Sequence, residues 1–227
     1  LFDKLQTRLI QYPGGKTGIF TIPASVTSIT GDGPFVECPG LLSIAVDAAK
    51  PNFSSVDGVL FDKLKTTLMQ CPTGKSGSLT IPASVTSIWE NAFEECPALT
   101  SITVDAGNAN YRSEEGVLFN KAGTVLMRYP GAKAGSYEIP PSVTSIWEYS
   151  FYQCKGLASL SIPAGLKNVG DWPFEECNGL VSVTVDVGNP NYCSEAGVLF
   201  DKLKTTLIRY PSGKGVTYTL PASVTWI

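Results

Sequence analysis

The sequence predicts a mostly β solenoid, right-handed and curved, with short helical turns between its strands. Three observations lead there. An eight-residue phrase recurs, two independent sets of residues share one period, and strand-like alternation returns in the same frame. A chain that repeats itself is built by stacking, so each coil buries its apolar face against its neighbours.

The phrase comes first. Ile22-Pro23-Ala24-Ser25-Val26-Thr27-Ser28-Ile29 returns at Ile81 to Ile88, at Ile139 to Ile146 with Pro141 for Ala, and at Leu220 to Ile227 with Trp226 for Ser. The period follows from phenylalanines and cysteines. Phe2, Phe61, Phe119 and Phe200 are separated by 59, 58 and 81 residues; Cys38, Cys96, Cys154 and Cys177 by 58, 58 and 23. Both sets describe a unit of 58 residues with one extra insert of 23. The expected organisation is a single solenoid domain over residues 1–227, with approximate units 1–40, 41–98, 99–156, an extra repeat 157–179, and 180–227. Both ends fall inside a repeat, so the expectation is a fragment of a longer protein.

The alternation supplies the strands. Leu99-x-x-Ile102-x-Val104, Leu157-x-x-Leu160-x-Ile162 and Leu180-x-x-Val183-x-Val185 share one frame, with a weaker copy at Leu41-x-x-Ile44-x-Val46. This is the L-x-x-L-x-L strand of a leucine-rich repeat. In Ser101-Ile102-Thr103-Val104-Asp105 the aliphatic residues point inward and the polar ones outward. Pro163 ends its strand because it cannot donate to a ladder. The Val-x-x-Ile segment then runs back along the other face. Asn91-Ala92-Phe93-Glu94-Glu95-Cys96 is too short for a free helix and fits one helical turn that drops Phe93 and Cys96 into the core. The long units add Asn-x-Asn-Tyr, Gly-Val-Leu-Phe, a polar turn and a second short strand such as Val125-Leu126-Met127-Arg128-Tyr129-Pro130. Two β-rich runs around a polar turn read as a hairpin or as a tight extra coil.

Composition narrows the function classes. Hydrophobic residues make up 43% of 227, enough to bury a core. Seventeen basic residues against twenty acidic ones give a net charge of −3, which argues against nucleic acid as a partner. No apolar run reaches the ~18 residues of a membrane span, so no membrane insertion is expected of this segment. The chain does not begin with a secretory signal. Histidine is absent, which removes the commonest general base and a common zinc ligand.

These residues resemble a known family. The Ile-Pro-x-Ser-Val-Thr-Ser-Ile, Ala-Phe-x-x-Cys and Leu-x-x-Ile series, with Gly-Val-Leu-Phe and Leu-Ile-Arg-Tyr-Pro inserts, is similar to the BspA-like leucine-rich repeats of bacterial and protist surface proteins, over essentially the whole chain. The resemblance implies a curved solenoid, an extracellular or cell-surface location, secretion, and non-enzymatic roles in adhesion or recognition. One departure stands out. Where the family usually has Gly after Thr-Ser-Ile, this chain has Trp89 and Trp147; Asp171-Trp172 sits two places later, and Thr30-Gly31-Asp32-Gly33 has no Trp. Either the turn is reshaped or the indoles pack coil on coil.

Candidate chemistry is sparse. Cys38, Cys96, Cys154 and Cys177 share one repeat position and should line the stack as buried thiols, whereas Cys71 and Cys193 break the pattern and are the more reactive candidates. No Cys-x-x-Cys suggests a zinc ribbon. Asp105-Asn108 and Asp186-Asn189 offer weak oxygen ligands for calcium, against the plainer reading that Asp and Asn close turns. The first copy, with Lys50, fits calcium poorly. Glu94-Glu95 and Glu175-Glu176 recur on a turn and are poor glycosidase acids. The absence of His removes a serine triad in its usual form, and no catalytic residue or cofactor is expected.

The binding candidates are side chains expected to form an exposed stripe: Gln11, Gln70, Arg128 and Arg209, with Tyr129 and Tyr210 beside them, plus Trp89 and Trp147. Arg and Tyr are enriched at interface hot spots. The leading expectation is a non-catalytic surface module for a protein or matrix ligand. Alternatives are a structural stalk or spacer that associates end to end, and a glycan-binding module using the Trp and Tyr rings.

Overall fold

The structure, a computed structural model, describes residues 1–30, 33–47, 49, 52–170, 172–215 and 217–227. The expectations resting on Gly31, Asp32, Lys50 and Asp171 lie outside the described residues. The chain forms two compact units, Leu1–Gly116 and Val117–Ile227. Each is built of β coils, as the repeat predicts.

In the first unit the long strands pair in parallel, one per coil. Gly18–Ile22 lies beside Leu41–Val46 with Phe20 opposite Ile44, and Gly77–Ile81 beside Leu99–Val104 with Leu79 opposite Ile102. The returning Thr-Ser-Ile segments form two-residue strands on the other side. Ser28–Ile29 pairs in parallel with Arg8–Leu9, and Ser87–Ile88 with Thr67–Gln70. In the second unit Gly135–Glu138, Leu157–Ile162 and Ser182–Val185 form the front sheet, with Tyr137, Leu160 and Val183 in one row. Val125–Arg128, Ser145–Ile146 and Asn168–Val169 form the back ladder, with Leu126, Ile146 and Val169 in register.

The extra segment of the long units is a hairpin rather than another coil. Phe53–Val56, Val59–Asp62 and Thr67–Gln70 run antiparallel in sequence, as do Tyr192–Glu195, Val198–Asp201 and Leu207–Arg209. Its connections are set by two devices. At the first, Gly197 has φ +78°, and a Cβ there would stand 2.7 Å from Ser182 Oγ, so only glycine passes the front strand. At the second, Asp62 accepts from the amides of Thr66 and Thr67 at 2.6 and 2.8 Å, closing the polar turn. Asn120 does the same for Thr124 and Val125.

The Phe-x-x-Cys corners correct one expectation. Among the described residues there is no helix, so none is long and apolar enough to cross a membrane. The corners are runs of backbone turns, such as Tyr152 N–H to Tyr149 C=O and Cys154 N–H to Phe151 C=O. The residue before each cysteine explains why no helix forms. Glu37, Glu95, Gln153 and Glu176 all have left-handed φ between 55° and 57°, which breaks helical propagation at once.

The cores follow the repeat. In the first unit Ile22, Phe35, Cys38, Leu41, Ile44 and Leu60 are fully buried in one cluster. In the second, Tyr129, Phe151 and Phe174 occupy successive coils with centroids 5.2 and 5.4 Å apart. Phe93 is buried, as expected.

Candidate functional site

The expected exposed stripe is not one surface. Gln11 is exposed, but Gln70 is 4% and Arg128 3% accessible, and Tyr129 is fully buried. Alternation assumes that one face of the strand meets water. In Val125–Arg128 three consecutive residues, Leu126, Met127 and Arg128, are all buried. The Arg128 head reaches into the next coil, donating from Nη1 to Tyr149 O at 2.7 Å and from Nη2 to Tyr152 O at 3.1 Å. It holds the corner of the following coil. Gln70 donates to Cys71 O at 3.0 Å. Tyr129 packs against Tyr137 and Phe151. These three are structural rather than exposed.

Arg209 and Tyr210 are half-buried. Arg209 Nη2 donates to Ser212 Oγ at 2.9 Å, and Tyr210 donates to the carbonyls of Lys214 and Gly215. Trp89 is half-buried and Trp147 is 39% exposed.

The carboxamides put forward for calcium are already committed. Asn108 and Asn189 are fully buried. Asn189 donates from Nδ2 to Pro163 O and Leu166 O at 2.8 and 3.1 Å, while its Oδ1 accepts from the amides of Asn191 and Tyr192. Asn108 repeats the pattern with Pro82, Val85, Asn110 and Tyr111. A carboxamide oxygen with two acceptor bonds has no lone pair left for a metal. Asp105 and Asp186 accept from the amides of Gly107 and Gly188, closing turns. Among the described residues no group of three or more acidic or sulfur ligands comes together.

The thiols are structural within each unit. Cys96 Sγ donates to Cys71 O at 3.5 Å, Cys154 Sγ to Tyr129 O at 3.6 Å and Cys38 Sγ to Tyr12 O at 3.7 Å. Tyr12, Cys71 and Tyr129 are thus one corner position, and Cys71 substitutes for a core tyrosine. It is fully buried rather than reactive. Burial also pushes the Cys154 and Cys193 thiols up. Among the described residues no disulfide joins these cysteines.

What remains outward is on the front strands and on one back corner. Thr80 and Thr103 share a hydroxyl hydrogen bond at 3.0 Å on the first unit, whose other front strands expose Ile19 and Leu42. On the second, Ser159 donates to Ser136 at 2.7 Å and Ser161 bonds Thr184 at 2.9 Å. The back corner holds a cleft of about 560 Å³, lined by Val169, Gly170, Trp172, Pro173, Phe174, Ile208 and Arg209. Sequence reasoning placed Arg209 among the candidates but missed the cleft. The two-place shift of Trp172 was its only signal.

A family model described as the BspA type leucine rich repeat region matches residues 72–115 and 129–197 in six copies. Among solved structures, the chain is similar to a leucine rich cell surface protein from Faecalibacterium prausnitzii, at 28% identity with a TM-score of 0.51, over 73% of this chain and 40% of that one. It is also similar to the pneumococcal vaccine antigen PcpA, at 24% identity with a TM-score of 0.52, over 73% and 38% of the two chains. The chain therefore spans about two fifths of the length of these two structures. No curated protein matches it by sequence.

Proposed function

The chain belongs to the BspA-type leucine-rich repeat family, and from that premise we propose that it is a non-catalytic, cell-surface module that adheres to a protein or matrix ligand. The observation that carries the reading is the division of labour among its polar side chains. Arg128, Asn108, Asn189, Asp62 and Asn120 are spent closing turns and joining coils. The hydroxyls of Thr80, Thr103, Ser136 and Thr184 project from strands whose inner residues already hold the core. Thr103 and Thr184 also bond the Leu79 and Leu160 carbonyls of the adjacent strands, and this outward row of hydroxyls is the face open to recognise a partner. The name of the Faecalibacterium relative as a cell surface protein supports the location.

The test is adherence of beads coated with the protein to cultured epithelial monolayers. Thr103→Arg and Ser161→Arg, one on each front sheet, should reduce adherence strongly while leaving the thermal midpoint unchanged. Wild-type beads that adhere no better than albumin-coated beads would defeat the proposal.

A further inference from the structure

The cleft of the second unit lies at a break in its back ladder, and the first unit has a matching break after Ile88, whose amide meets Tyr111. The back ladder that joins Val125–Arg128, Ser145–Ile146 and Asn168–Val169 stops at Val169. There Tyr192 intervenes: its hydroxyl accepts from Val169 N–H at 3.2 Å and donates to Lys167 O at 3.1 Å. Leu207–Arg209 pairs instead with its own hairpin strand. The space left between the two coils is the cleft, with Val169 and Gly170 on one side and Ile208 and Arg209 on the other.

Its rim is an aromatic platform. Trp172 is 63% exposed although it neighbours fully packed Phe174, and its backbone is held at φ +50°. A bulky residue in the left-handed region is strained, and such strain persists where surrounding structure enforces it. Buried Pro173 follows and restricts the backbone of Trp172 further. Gly170 cannot carry a side chain, since a Cβ there would lie 2.7 Å from Glu148 N and 2.9 Å from Ile146 O. The exposed indole thus stands beside a floor that carries no side chain at position 170.

Arg209 supplies the cation. Its counterpart Arg128 spends both terminal nitrogens on the next corner, whereas Arg209 makes one side-chain bond, to Ser212; the Nε of each is buried without a bond. Among the described residues it joins no ion pair, and none of the described residues that line the cleft is a carboxylate. A guanidinium at such a site calls for an anion.

We propose that this cleft receives a carboxylate-bearing pyranose, a hexuronic-acid unit of a glycan, with its C–H face on Trp172 and its carboxylate on Arg209. A flat, exposed indole suits a ring with one apolar face and polar edges. An acidic peptide side chain would use Arg209 but leave the platform idle. The volume is of small-ligand size. This site is separate from the front strands, so its failure leaves the adhesion reading intact.

Saturation-transfer NMR on the intact chain tests it, with methyl β-D-glucuronide, methyl β-D-glucoside and N-acetyl-glutamate amide as probes. The glucuronide should bind roughly tenfold more tightly than the glucoside, equivalent to about 1.4 kcal/mol. Arg209→Gln should erase that preference while ring contacts persist. Trp172→Ala should abolish transfer to both sugars, and Trp172→Phe should retain it. No transfer to the glucuronide, equal binding of the two sugars, equal binding of the glutamate amide, or indifference to Trp172→Ala would each overturn the proposal.

Discussion

Arg128 donates to the carbonyl of Tyr149, 21 residues further along, at 2.7 Å from a side chain almost wholly buried. This bond and its companion to Tyr152 tie one coil to the corner of the next. Arg128→Ala should destabilise the protein by about 2–4 kcal/mol, since two charge-assisted bonds are lost at a buried corner. Arg128→Lys should recover part of this, because one ammonium cannot span both carbonyls as a guanidinium does. Chemical denaturation measures both; an alanine variant as stable as wild type would refute the tie.

The apolar columns should be equally sensitive. Phe93 is 6% accessible at a corner of the first unit. Phe93→Ala should cost about 3–5 kcal/mol as a cavity-forming truncation. An unchanged thermal midpoint would contradict its place in the core.

Asn189 sits between two coils with four backbone partners. Asn189→Ala should cost about 2–4 kcal/mol by removing four bonds and leaving the Asn191 and Tyr192 amides unsatisfied. Asn189→Asp should also destabilise, because a carboxylate cannot donate to Pro163 and Leu166. Calcium should not rescue either variant, and calorimetry with and without the ion reads this directly.

The turn aspartates give the fold an acid limit. Slight burial pushes the Asp62 carboxyl up, but bonds from the Thr66 hydroxyl and the Thr67 and Thr66 amides outweigh it and hold the group below its ordinary value. Asp201 is lowered in the same way by Thr205 and Thr206. The amide of Arg8, then the Thr7 hydroxyl and amide, lower Asp3 despite an opposing desolvation. A carboxyl whose folded value is depressed contributes stability above its unfolded value, and that stability is lost as pH falls through the folded value. Stability should therefore decline below the ordinary carboxylate value of 3.8. Asn120 shows that an amide closes the same turn. Asp62→Asn with Asp201→Asn should flatten the acid limb of a stability–pH profile; an unaltered limb would show that other groups govern it.

The residues that were legible in advance are those whose environment repeats with the chain. Phe93, Cys96, Leu99 and Ile102 recur with their neighbours, so periodicity alone predicts that they are buried. Arg128 was misplaced because alternation presumes a solvent face, and its partners Tyr149 and Tyr152 belong to another coil. Cys71 was taken for an exception because it interrupts a tyrosine series. The bond from Cys96 to the Cys71 carbonyl, matching those from Cys38 to Tyr12 and from Cys154 to Tyr129, shows instead that Cys71 fills the corner position that tyrosine fills elsewhere.

Amino-acid order by itself determined the period, the inward-facing residues and the family, because each coil must present the same apolar edge to the next. Tertiary structure alone decided which polar groups remain available. Whether an arginine meets water or a carbonyl depends on the coil that lands beside it. So does the cleft at Trp172, which opens where a tyrosine hydroxyl takes the amide that a neighbouring strand would otherwise have bonded.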